Sequence, residues 1–530
     1  MKIAFIATPY PLEEAPSPPL GLTYAAAACE AAGATVRIFD YIVSRYSPEK
    51  FAASLDAFKP DVVGAGPVTM NFPDAARIIR EAKNHNADII TMMGGPHVSF
   101  DIRDTFKNLP ELDLIVVGEG EQTLMELIPV ILDRSAWHGI KGIAFRDNGG
   151  IVLTEQRELI HDLDTLPLPA RHLLPISRYQ ALGFPVSIIT SRGCPNRCIF
   201  CLGRRMVGFK GRFRDASLVV DEIEHILSYG FTRINVADDL FTANKDRVKK
   251  LCGEIKRRGV HFSWSAFARV NTVDLETLQI MREVGCDCVS FGIESGNTEM
   301  LKRVRKGITL DQARKAVQCC KDADILPHAS FMVGLPGETP ETLEETQRFA
   351  NELNIPYGYH FFAPFPGTTA REEIENYDLT ILTSDWSLYD ANRPVVKTSR
   401  VDPEHMISFV AEYDRFQASL WEETEKHCRE QTCTDKEYLL VEGRIKMNLV
   451  YKVLAEDIIE GTTCALKDGS NPVALLSASI AGRTGNNEAF TLRVIKNFFD
   501  IGFLKHETIN GSYRYYWTHN KDIDKLPISL

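Results

Sequence analysis

The sequence predicts an α/β protein: a doubly wound parallel sheet, then a partial (β/α)6 barrel, then a mostly helical C-terminal region. Two regions predict sheets. Short apolar runs alternate with helical patterns from Lys2 to Thr154, and the same alternation returns from Val186 to Ala363. A third observation is that the pattern beyond Ala370 is mostly helical. The predicted domains are therefore residues 1–150, a connector at 151–185, a barrel at 186–372 and a C-terminal domain at 373–530.

Composition excludes several classes of protein. The 530 residues are 44% hydrophobic and 25% charged, as in ordinary soluble globular proteins, and their net charge of -11 gives no general attraction to nucleic acid. No apolar run approaches the ~20 residues of a transmembrane helix. The first run, Ile3–Thr8, is followed at once by Pro9 and suits a core strand better than a signal peptide. We therefore expect a cytoplasmic protein with no transmembrane segment.

The first array of alternating elements predicts a parallel sheet with helices on both faces. Its loops after the strands are rich in Gly and Pro, and ligands of such sheets bind at that carboxyl edge. The predicted strands are Ile3–Thr8, Val36–Asp40, Val62–Val68, Ile89–Gly94 and Leu114–Gly118. The predicted helices are Leu20–Ala32, Pro73–Asn84 and Gln122–Leu132.

The second array predicts six β/α units, which indicates a partial barrel and not a complete one of eight. Its predicted strands are Val186–Thr190, Arg233–Ala237, Phe262–Ala268, Cys288–Glu294, Ala329–Val333 and Tyr359–Ala363, with helices such as Leu218–Ser228, Lys245–Arg257 and Leu310–Ala323. Near the C-terminus, Phe490–Gly502 is predicted to be a helix and Phe503–Trp517 a two-stranded wing, as in a winged helix.

The most informative motif is formed by Cys194, Cys198 and Cys201. Three thiolates with this spacing can hold an iron–sulfur cluster and leave one iron open for chemistry. The alternative is a structural zinc site, but such sites usually have four ligands, and no nearby Cys or His supplies the fourth at finger-like spacing. The remaining nine cysteines are interpreted as structural.

The Cys motif resembles that of radical S-adenosylmethionine (SAM) enzymes. The resemblance implies a 4Fe-4S cluster on the three Cys and SAM on the open iron. Further segments of the barrel match in the expected order: Ala237–Thr242 resembles the Asp-Asp-x-Phe segment of cobalamin-type members, Ser290–Gly296 contains an acidic strand end, and Met332–Glu338 is a glycine-containing turn. The residues implied to lie around the cluster and SAM are Phe200, Asp238, Asp239, Arg269, Glu294, Gly334 and Gly337.

The N-terminal domain resembles the cobalamin-binding domain that precedes many radical SAM barrels. Pro18–Leu22, Gly94–His97 and Val117–Glu121 carry this resemblance. The implied cobalamin neighbours are Tyr10, Leu20, Gly21, Thr69, Met70, Gly94, Gly95, His97, Gly118 and Glu119. The Asp-x-His-x-x-Gly motif that supplies a lower histidine ligand in other cobalamin proteins is absent from the sequence, so we expect cobalt without that ligand.

The resemblance implies a C-methyltransferase in which a 5′-deoxyadenosyl radical activates an inert carbon and methylcobalamin donates the methyl group. A cyclase or oxidative enzyme like the anaerobic magnesium-protoporphyrin cyclase is the alternative, and a cobalamin-sensing DNA-binding regulator is disfavoured by the acidic charge. The substrate could be a small molecule, lipid, tetrapyrrole or peptide. A one-electron reductase such as flavodoxin or ferredoxin is the expected partner, and no nucleic acid.

Overall fold

The computed structural model describes residues 1–12, 15–466 and 469–518. Its first sheet contains seven strands in the order β2-β1-β3-β4-β5-β6-β7. These strands are β1 (Lys2–Ala7), β2 (Thr35–Asp40), β3 (Val62–Ala65), β4 (Ile90–Met93), β5 (Leu114–Val116), β6 (Ile143–Asp147) and β7 (Gly150–Leu153). The first five are parallel, which confirms the predicted doubly wound part.

Two antiparallel strands that were not predicted, β6 and β7, extend the parallel sheet at one edge. They form a hairpin in which Asp147 faces Gly150 across Asn148 and Gly149, both with positive φ. Asn-Gly favours such two-residue turns, so the signal was present in the sequence. The sheet extends to Leu153, three residues past the predicted boundary at 150.

Helices cover both faces of this sheet and begin near its carboxyl edge. They are α1 (Leu20–Ala31), α2 (Pro48–Phe58), α3 (Phe72–His85), α4 (Pro96–Phe100), α5 (Ile102–Asn108) and α6 (Glu121–Leu127). The predicted helix to Leu132 ends as an α-helix at Leu127 and continues as a 3-10 turn that contains Pro129. Proline has no backbone N–H to continue the α-helical hydrogen bonds.

The second sheet has six parallel strands in the order β15-β14-β13-β12-β11-β8, as predicted for a partial barrel. These are β8 (Val186–Ile188), β11 (Arg233–Val236), β12 (Ser263–Ala268), β13 (Cys286–Glu294), β14 (Leu326–Val333) and β15 (Tyr357–Phe361); β9 (Ser191–Arg192) and β10 (Arg212–Phe213) form a separate antiparallel pair. The helices are α7 (Ile176–Leu182), α8 (Gly203–Val207), α9 (Ala216–Ser228), α10 (Lys245–Arg258), α11 (Leu275–Glu283), α12 (Thr298–Arg303), α13 (Leu310–Asp322) and α14 (Pro340–Leu353).

The C-terminal region begins with small elements and continues as a long helical hairpin. Its elements are α15 (Thr369–Glu372), β16 (Thr380–Ile381), β17 (Val396–Lys397), α16 (Pro403–Arg429), α17 (Asp435–Ala455), β18 (Thr463–Ala465), α18 (Pro472–Thr484), α19 (Glu488–Asp500), β19 (Leu504–Ile509) and β20 (Ser512–Trp517). The expected helix and two-stranded hairpin are α19, β19 and β20, and β18 adds a third strand. No helix in the described parts of the chain could span a bilayer.

The hairpin of α16 and α17 contacts both open edges of the barrel. On α16, the Tyr413 hydroxyl donates a hydrogen bond to the carbonyl of Tyr357 in edge strand β15. On α17, the Tyr451 ring lies 6.2 Å from that of Phe184, just before the other edge strand, β8. The C-terminal region therefore bridges the gap that six strands leave in the barrel wall.

Candidate functional site

Asp238, at the end of β11, anchors the chain just before the Cys motif. Its Oδ1 accepts hydrogen bonds from the backbone N–H groups of Thr190 and Ser191, at 2.6 and 3.0 Å. Its Oδ2 accepts from the hydroxyls of the same two residues, at 2.5 and 2.6 Å. The carboxylate is buried and its oxygens are occupied by these four donors. Asp238 therefore orients the strand that leads into the Cys motif.

Asp239 contacts the motif itself. Its Oδ2 accepts a hydrogen bond from the N–H of Gly193 at 3.0 Å, next to Cys194. Burial raises the pKa of Asp239, and the neighbouring charge of Asp238 adds to this. A Cβ added to Gly203 would lie 2.6 Å from Asp239 Oδ1, so a side chain at this position would displace the Asp239 carboxylate.

Two of the three sulfurs in the motif have a nitrogen donor beside them. Asn196 Nδ2 lies 3.2 Å from Cys194 Sγ, and Arg269 Nη1 lies 3.6 Å from Cys198 Sγ. Such donors stabilise negative charge on cluster-bound thiolates. In the described residues no three Cys, His, Asp or Glu converge as around a single ion. Cluster ligands bind separate irons and need not converge.

Glu294 and Phe200 meet at a residue that the sequence analysis missed. Lys306 Nζ lies 2.6 Å from Glu294 Oε1 and 5.6 Å from the centre of the Phe200 ring. The Lys306 carbonyl also accepts a hydrogen bond from Arg269. Lys306 thus contacts three predicted SAM neighbours. Its position in the sequence gave no indication of these contacts.

The backbone at Glu294 is strained. Its φ is +74°, in the left-handed region that residues other than glycine rarely adopt, and the register with β14 shifts between Gly292 and Glu294. A Cβ on Gly292 would meet Glu294 Oε1 at 2.4 Å. Strain of this kind, which costs about 1–3 kcal/mol, is concentrated at functional sites.

The turn after β14 has two glycines with positive φ, Gly334 at +92° and Gly337 at +71°. An added Cβ on Gly337 would collide with the Arg303 guanidinium, and one on Gly334 would lie 3.1 Å from Met406 Sδ. Glu338, which ends the same motif, was missed as a site residue. It is fully buried, its Oε2 accepts from the Gly334 N–H at 2.5 Å, and burial raises its pKa to about 8.

A cavity of about 600 Å³ lies between the carboxyl edge of the first sheet and the barrel. Loops after all five parallel strands of the sheet line one side, and Ser191, Arg192, Met206 and Val207 line the barrel side. Eight predicted cofactor neighbours line it: Tyr10, Leu20, Gly21, Gly94, Gly95, Gly118, Glu119 and Asp239. Thr69, Met70 and His97 are not among the lining residues.

Glycines keep this cavity open. Nothing lies within 4 Å of a Cβ added to Gly21 or Gly118, so the space beside them is empty and a side chain there would occupy part of it. Gly95 has a φ of +95°, and a Cβ on it would lie 3.3 Å from the Pro67 carbonyl oxygen. These positions suit the close approach of a large flat ring to the sheet edge.

His97 packs in the protein interior. Its ring centre lies 4.2 Å from that of Phe72 and 5.2 Å from that of Trp386, and its Nδ1 lies 3.3 Å from Thr69 Oγ1. Burial lowers the pKa of His97 to about 4, so the ring is neutral. No histidine occurs among the described residues that line the cavity.

Glu119 joins the two sides of the cavity. Its carboxylate accepts hydrogen bonds from Arg192 Nη1 at 3.1 Å and from Arg212 Nη1 and Nη2 at 2.8 and 2.7 Å. Glu121 also binds Arg192, at 2.5 Å. Burial alone would raise the pKa of Glu119, but the hydrogen bond from Arg212 and the charge of Arg192 lower it. The predicted cobalamin neighbour is therefore also an ionised interdomain contact.

Comparison with known proteins decides the family. Residues 188–350 match the Radical SAM superfamily and residues 14–128 match the B12 binding domain. An uncharacterized methyltransferase of Pyrococcus horikoshii is 36% identical over 392 residues, covering 73% of this chain and 85% of that protein. The chain belongs to the cobalamin-dependent radical SAM enzymes.

Two further proteins are similar to this chain, one in sequence and one in fold. The anaerobic magnesium-protoporphyrin IX monomethyl ester cyclase of Rubrivivax gelatinosus is 30% identical to this chain. The aligned region covers 75% of this chain and 73% of the cyclase. The structure of the cobalamin-dependent radical enzyme OxsB, with aqua-cobalamin and SAM bound, superposes with a TM-score of 0.68 at 18% identity. It covers 94% of this chain and 79% of that one, and it shows the shared fold.

The donor set fits the three cofactors of this family, a 4Fe-4S cluster, SAM and cobalamin. Thiolates with neighbouring N–H donors suit the cluster. The glycine-lined, histidine-free cavity suits cobalamin. The buried cluster of Glu294, Lys306 and Arg269 next to Phe200 offers charged and aromatic partners to SAM.

Proposed function

We propose that the protein methylates an unactivated carbon of its substrate. The observation that carries this proposal is the shared cavity, because Gly94 and Gly118 of the cobalamin-type sheet edge and Ser191, Arg192 and Asp239 beside the Cys motif line one space. The three cysteines and the other predicted SAM neighbours lie outside this lining, and Asp239 connects the cavity to the Cys motif through the N–H of Gly193. We propose that a substrate carbon in the cavity reaches both cofactors, because a radical methylation requires this proximity.

In this proposal the chain's residues bind and orient while the cofactors supply the reactivity. Cys194, Cys198 and Cys201 would hold the cluster, and Arg269 would stabilise the charge of Cys198 through its 3.6 Å contact. Glu294 and Lys306 would bind the polar groups of SAM against Phe200. When bound, the cluster and SAM supply hydrogen abstraction, and cobalamin supplies the methyl group.

The other predicted neighbours divide by position. Those that line the cavity are proposed to contact cobalamin directly: Tyr10, Leu20, Gly21, Gly94, Gly95, Gly118 and Glu119. Thr69, Met70 and His97 are proposed to support the loops behind them, and Asp238 to orient the strand before the Cys motif. Gly334 and Gly337 are proposed to let the backbone approach the adenine of SAM.

The remaining assignments are also proposals. We place the domain boundaries near Leu153, residue 185 and residue 372, because the first sheet ends at Leu153. The substrate class is a small molecule, lipid, tetrapyrrole or peptide with an inert C–H bond. A cytoplasmic location suits the thiolates of the cluster, which stay reduced there. The electron source is a carrier of the flavodoxin or ferredoxin type.

A cyclisation or oxidation without net methylation is the second candidate, supported by the 30% identity to the Rubrivivax gelatinosus cyclase. The two candidates differ in what happens to the methyl group of SAM. Methylation consumes a second SAM and releases S-adenosylhomocysteine together with 5′-deoxyadenosine, whereas cyclisation releases only the latter.

The test uses cobalamin-loaded, reduced enzyme and SAM with a deuterated methyl group. Mass spectrometry of the extracted cobalamin and of the nucleoside products follows the label without knowledge of the substrate. Transfer of the label to cobalamin with release of S-adenosylhomocysteine supports the methyltransferase. Formation of 5′-deoxyadenosine with no label on cobalamin contradicts it and favours the cyclase.

A further inference from the structure

Two segments around the Cys motif carry positive charge and no carboxylate. Residues 193–213 contain five basic side chains, and residues 302–306 contain four. The whole chain has a net charge of -11, so these two segments are positively charged in an otherwise acidic protein. The basic residues are Arg197, Arg204, Arg205, Lys210 and Arg212 in the first segment and Lys302, Arg303, Arg305 and Lys306 in the second.

The two segments are adjacent in space. The N–H of Ile199, between the second and third cysteines, donates a hydrogen bond to the Val304 carbonyl at 3.1 Å. Arg212 and Lys306 are buried and bind Glu119 and Glu294. The other seven cations are exposed or half-buried around the motif.

Four of these cations have neither a carboxylate nor a backbone carbonyl as a recorded partner among the described residues. Arg205 binds Glu372 and Lys302 binds Glu299, and Arg303 donates to backbone carbonyls. For the other four the structure records no ion pair within its described ranges. We call these four the basic face: Arg197, Arg204, Lys210 and Arg305.

We propose that the basic face is the docking surface for an acidic one-electron carrier protein of the flavodoxin or ferredoxin type. This inference rests on the proposed function, because only a reducible cluster needs such a carrier. Arg204 lies three residues after Cys201, so a protein docked here is close to the cluster ligands along the chain. Phe209, with 67% of its surface exposed, adds an apolar contact between Arg204 and Lys210.

The distribution of charge fits a transient protein complex. Electron-transfer encounters bury small interfaces and depend on charge complementarity to steer association. A site for a small anion would instead direct several cations at one point. Here the four side chains lie on separate turns of two segments and are mostly exposed, which matches an extended acidic surface better.

The electron balance of the docked step is simple. The reduced carrier loses one electron and is oxidised, and the oxidised cluster on Cys194, Cys198 and Cys201 gains it. No bond forms or breaks on the protein. Each further turnover that consumes this electron requires another reduced carrier, so the complex must dissociate quickly, as a weak electrostatic complex does.

The test compares a charge-reversed face with a matched control. The variant is Arg204→Glu, Lys210→Glu and Arg305→Glu; Arg197 is kept because it lies between cluster ligands. The control reverses three surface bases on α10 and α11, Lys249→Glu, Lys256→Glu and Arg282→Glu, each of which pairs with a surface carboxylate. Such surface pairs contribute little to stability, about 0–1 kcal/mol.

Two quantities are measured with a purified, acidic bacterial flavodoxin as the probe: its Kd for cluster-loaded enzyme by interferometry, and the rate of cluster bleaching in stopped flow. For the face variant we expect the Kd to rise and the bleaching rate to fall, each at least tenfold. Reduction by dithionite, which needs no docking, should be unchanged in both variants. The control should match the wild type.

Several results would overturn the proposal. One is a face variant whose Kd for flavodoxin and rate of cluster bleaching equal those of the wild type. Another is a control variant whose Kd rises and whose bleaching rate falls as much as those of the face variant. A wild-type bleaching rate that does not fall with added salt would also contradict it, and this measurement needs no variant. If the variant loses pyrophosphate binding but keeps flavodoxin binding, the face is a small-anion site instead.

Methyl transfer to cobalamin, driven by a chemical reductant, tests the proposed function separately.

Discussion

Glu119 accepts a hydrogen bond from Arg192 at 3.1 Å, and this contact joins a loop of the cobalamin-type sheet to the strand that enters the Cys motif. Both side chains are buried, and Arg212 binds the same carboxylate. Arg192 lies two residues before Cys194. This charged contact therefore holds the cavity beside Glu119 at a fixed distance from the Cys motif beside Arg192.

Replacing Glu119 by Gln should loosen this contact. Removing one partner of a buried ion pair costs about 3–5 kcal/mol, because the arginines lose a charge that compensates their burial. We expect the Kd for cobalamin to rise about tenfold, while the iron content after reconstitution stays at the wild-type level. Equilibrium titration with hydroxocobalamin measures the first and a colorimetric assay the second.

Glu222→Gln is the matched control for that experiment. Glu222 is equally buried and binds Arg171 and Arg214, and none of these three residues lines the cavity. The control should lower stability without a comparable change in cobalamin affinity. Equal loss of cobalamin by the two variants would show that Glu119 acts only through global stability.

Asp238→Ala should reduce cluster loading. The substitution removes four hydrogen bonds to Thr190 and Ser191 and leaves their buried N–H groups without acceptors, at about 1–3 kcal/mol for each buried group. We expect less than half of the wild-type iron per chain after anaerobic reconstitution. Wild-type iron content in a folded Asp238→Ala protein would exclude an orienting role for Asp238.

Glu338→Gln should change how stability depends on pH. The pKa of Glu338 is about 8 in the folded protein, above the value of about 4.3 for an unfolded Glu, so folding favours the protonated form. Its stabilising contribution is full below about pH 4 and is lost as pH rises towards about 8. The Tm of the variant relative to the wild type should therefore increase from about pH 5 to about pH 8. A constant difference in Tm would show that Glu338 does not titrate in this range.

His97→Ala should leave the coordination of cobalt unchanged. His97 packs between Phe72 and Trp386 and does not line the cavity, so its loss should lower the Tm through a packing defect. The electron paramagnetic resonance spectrum of bound cob(II)alamin should lack nitrogen splitting from a lower ligand in wild type and variant alike. Splitting that disappears in His97→Ala would identify His97 as a ligand.

Periodicity predicted the five parallel strands and the six barrel strands, because each is a buried apolar run between loops of Gly and Pro. The antiparallel edge was missed although Asn148-Gly149 signalled its turn. Local patterns cannot report contacts between distant segments, and so Lys306, Arg192 and Arg212 were not foreseen as partners of Glu294 and Glu119. Glu338 was missed because its burial depends on tertiary packing.

The most direct test is a cofactor count on the wild type and on Cys194→Ala, Cys198→Ala and Cys201→Ala combined. After anaerobic reconstitution, the wild type should hold about four iron and four sulfide per chain and one cobalamin, and should cleave SAM when reduced. The triple variant should keep cobalamin, because the cavity is intact, but lose the cluster and SAM cleavage. A full cluster in the triple variant, or a wild type that holds no cobalamin, would contradict the account.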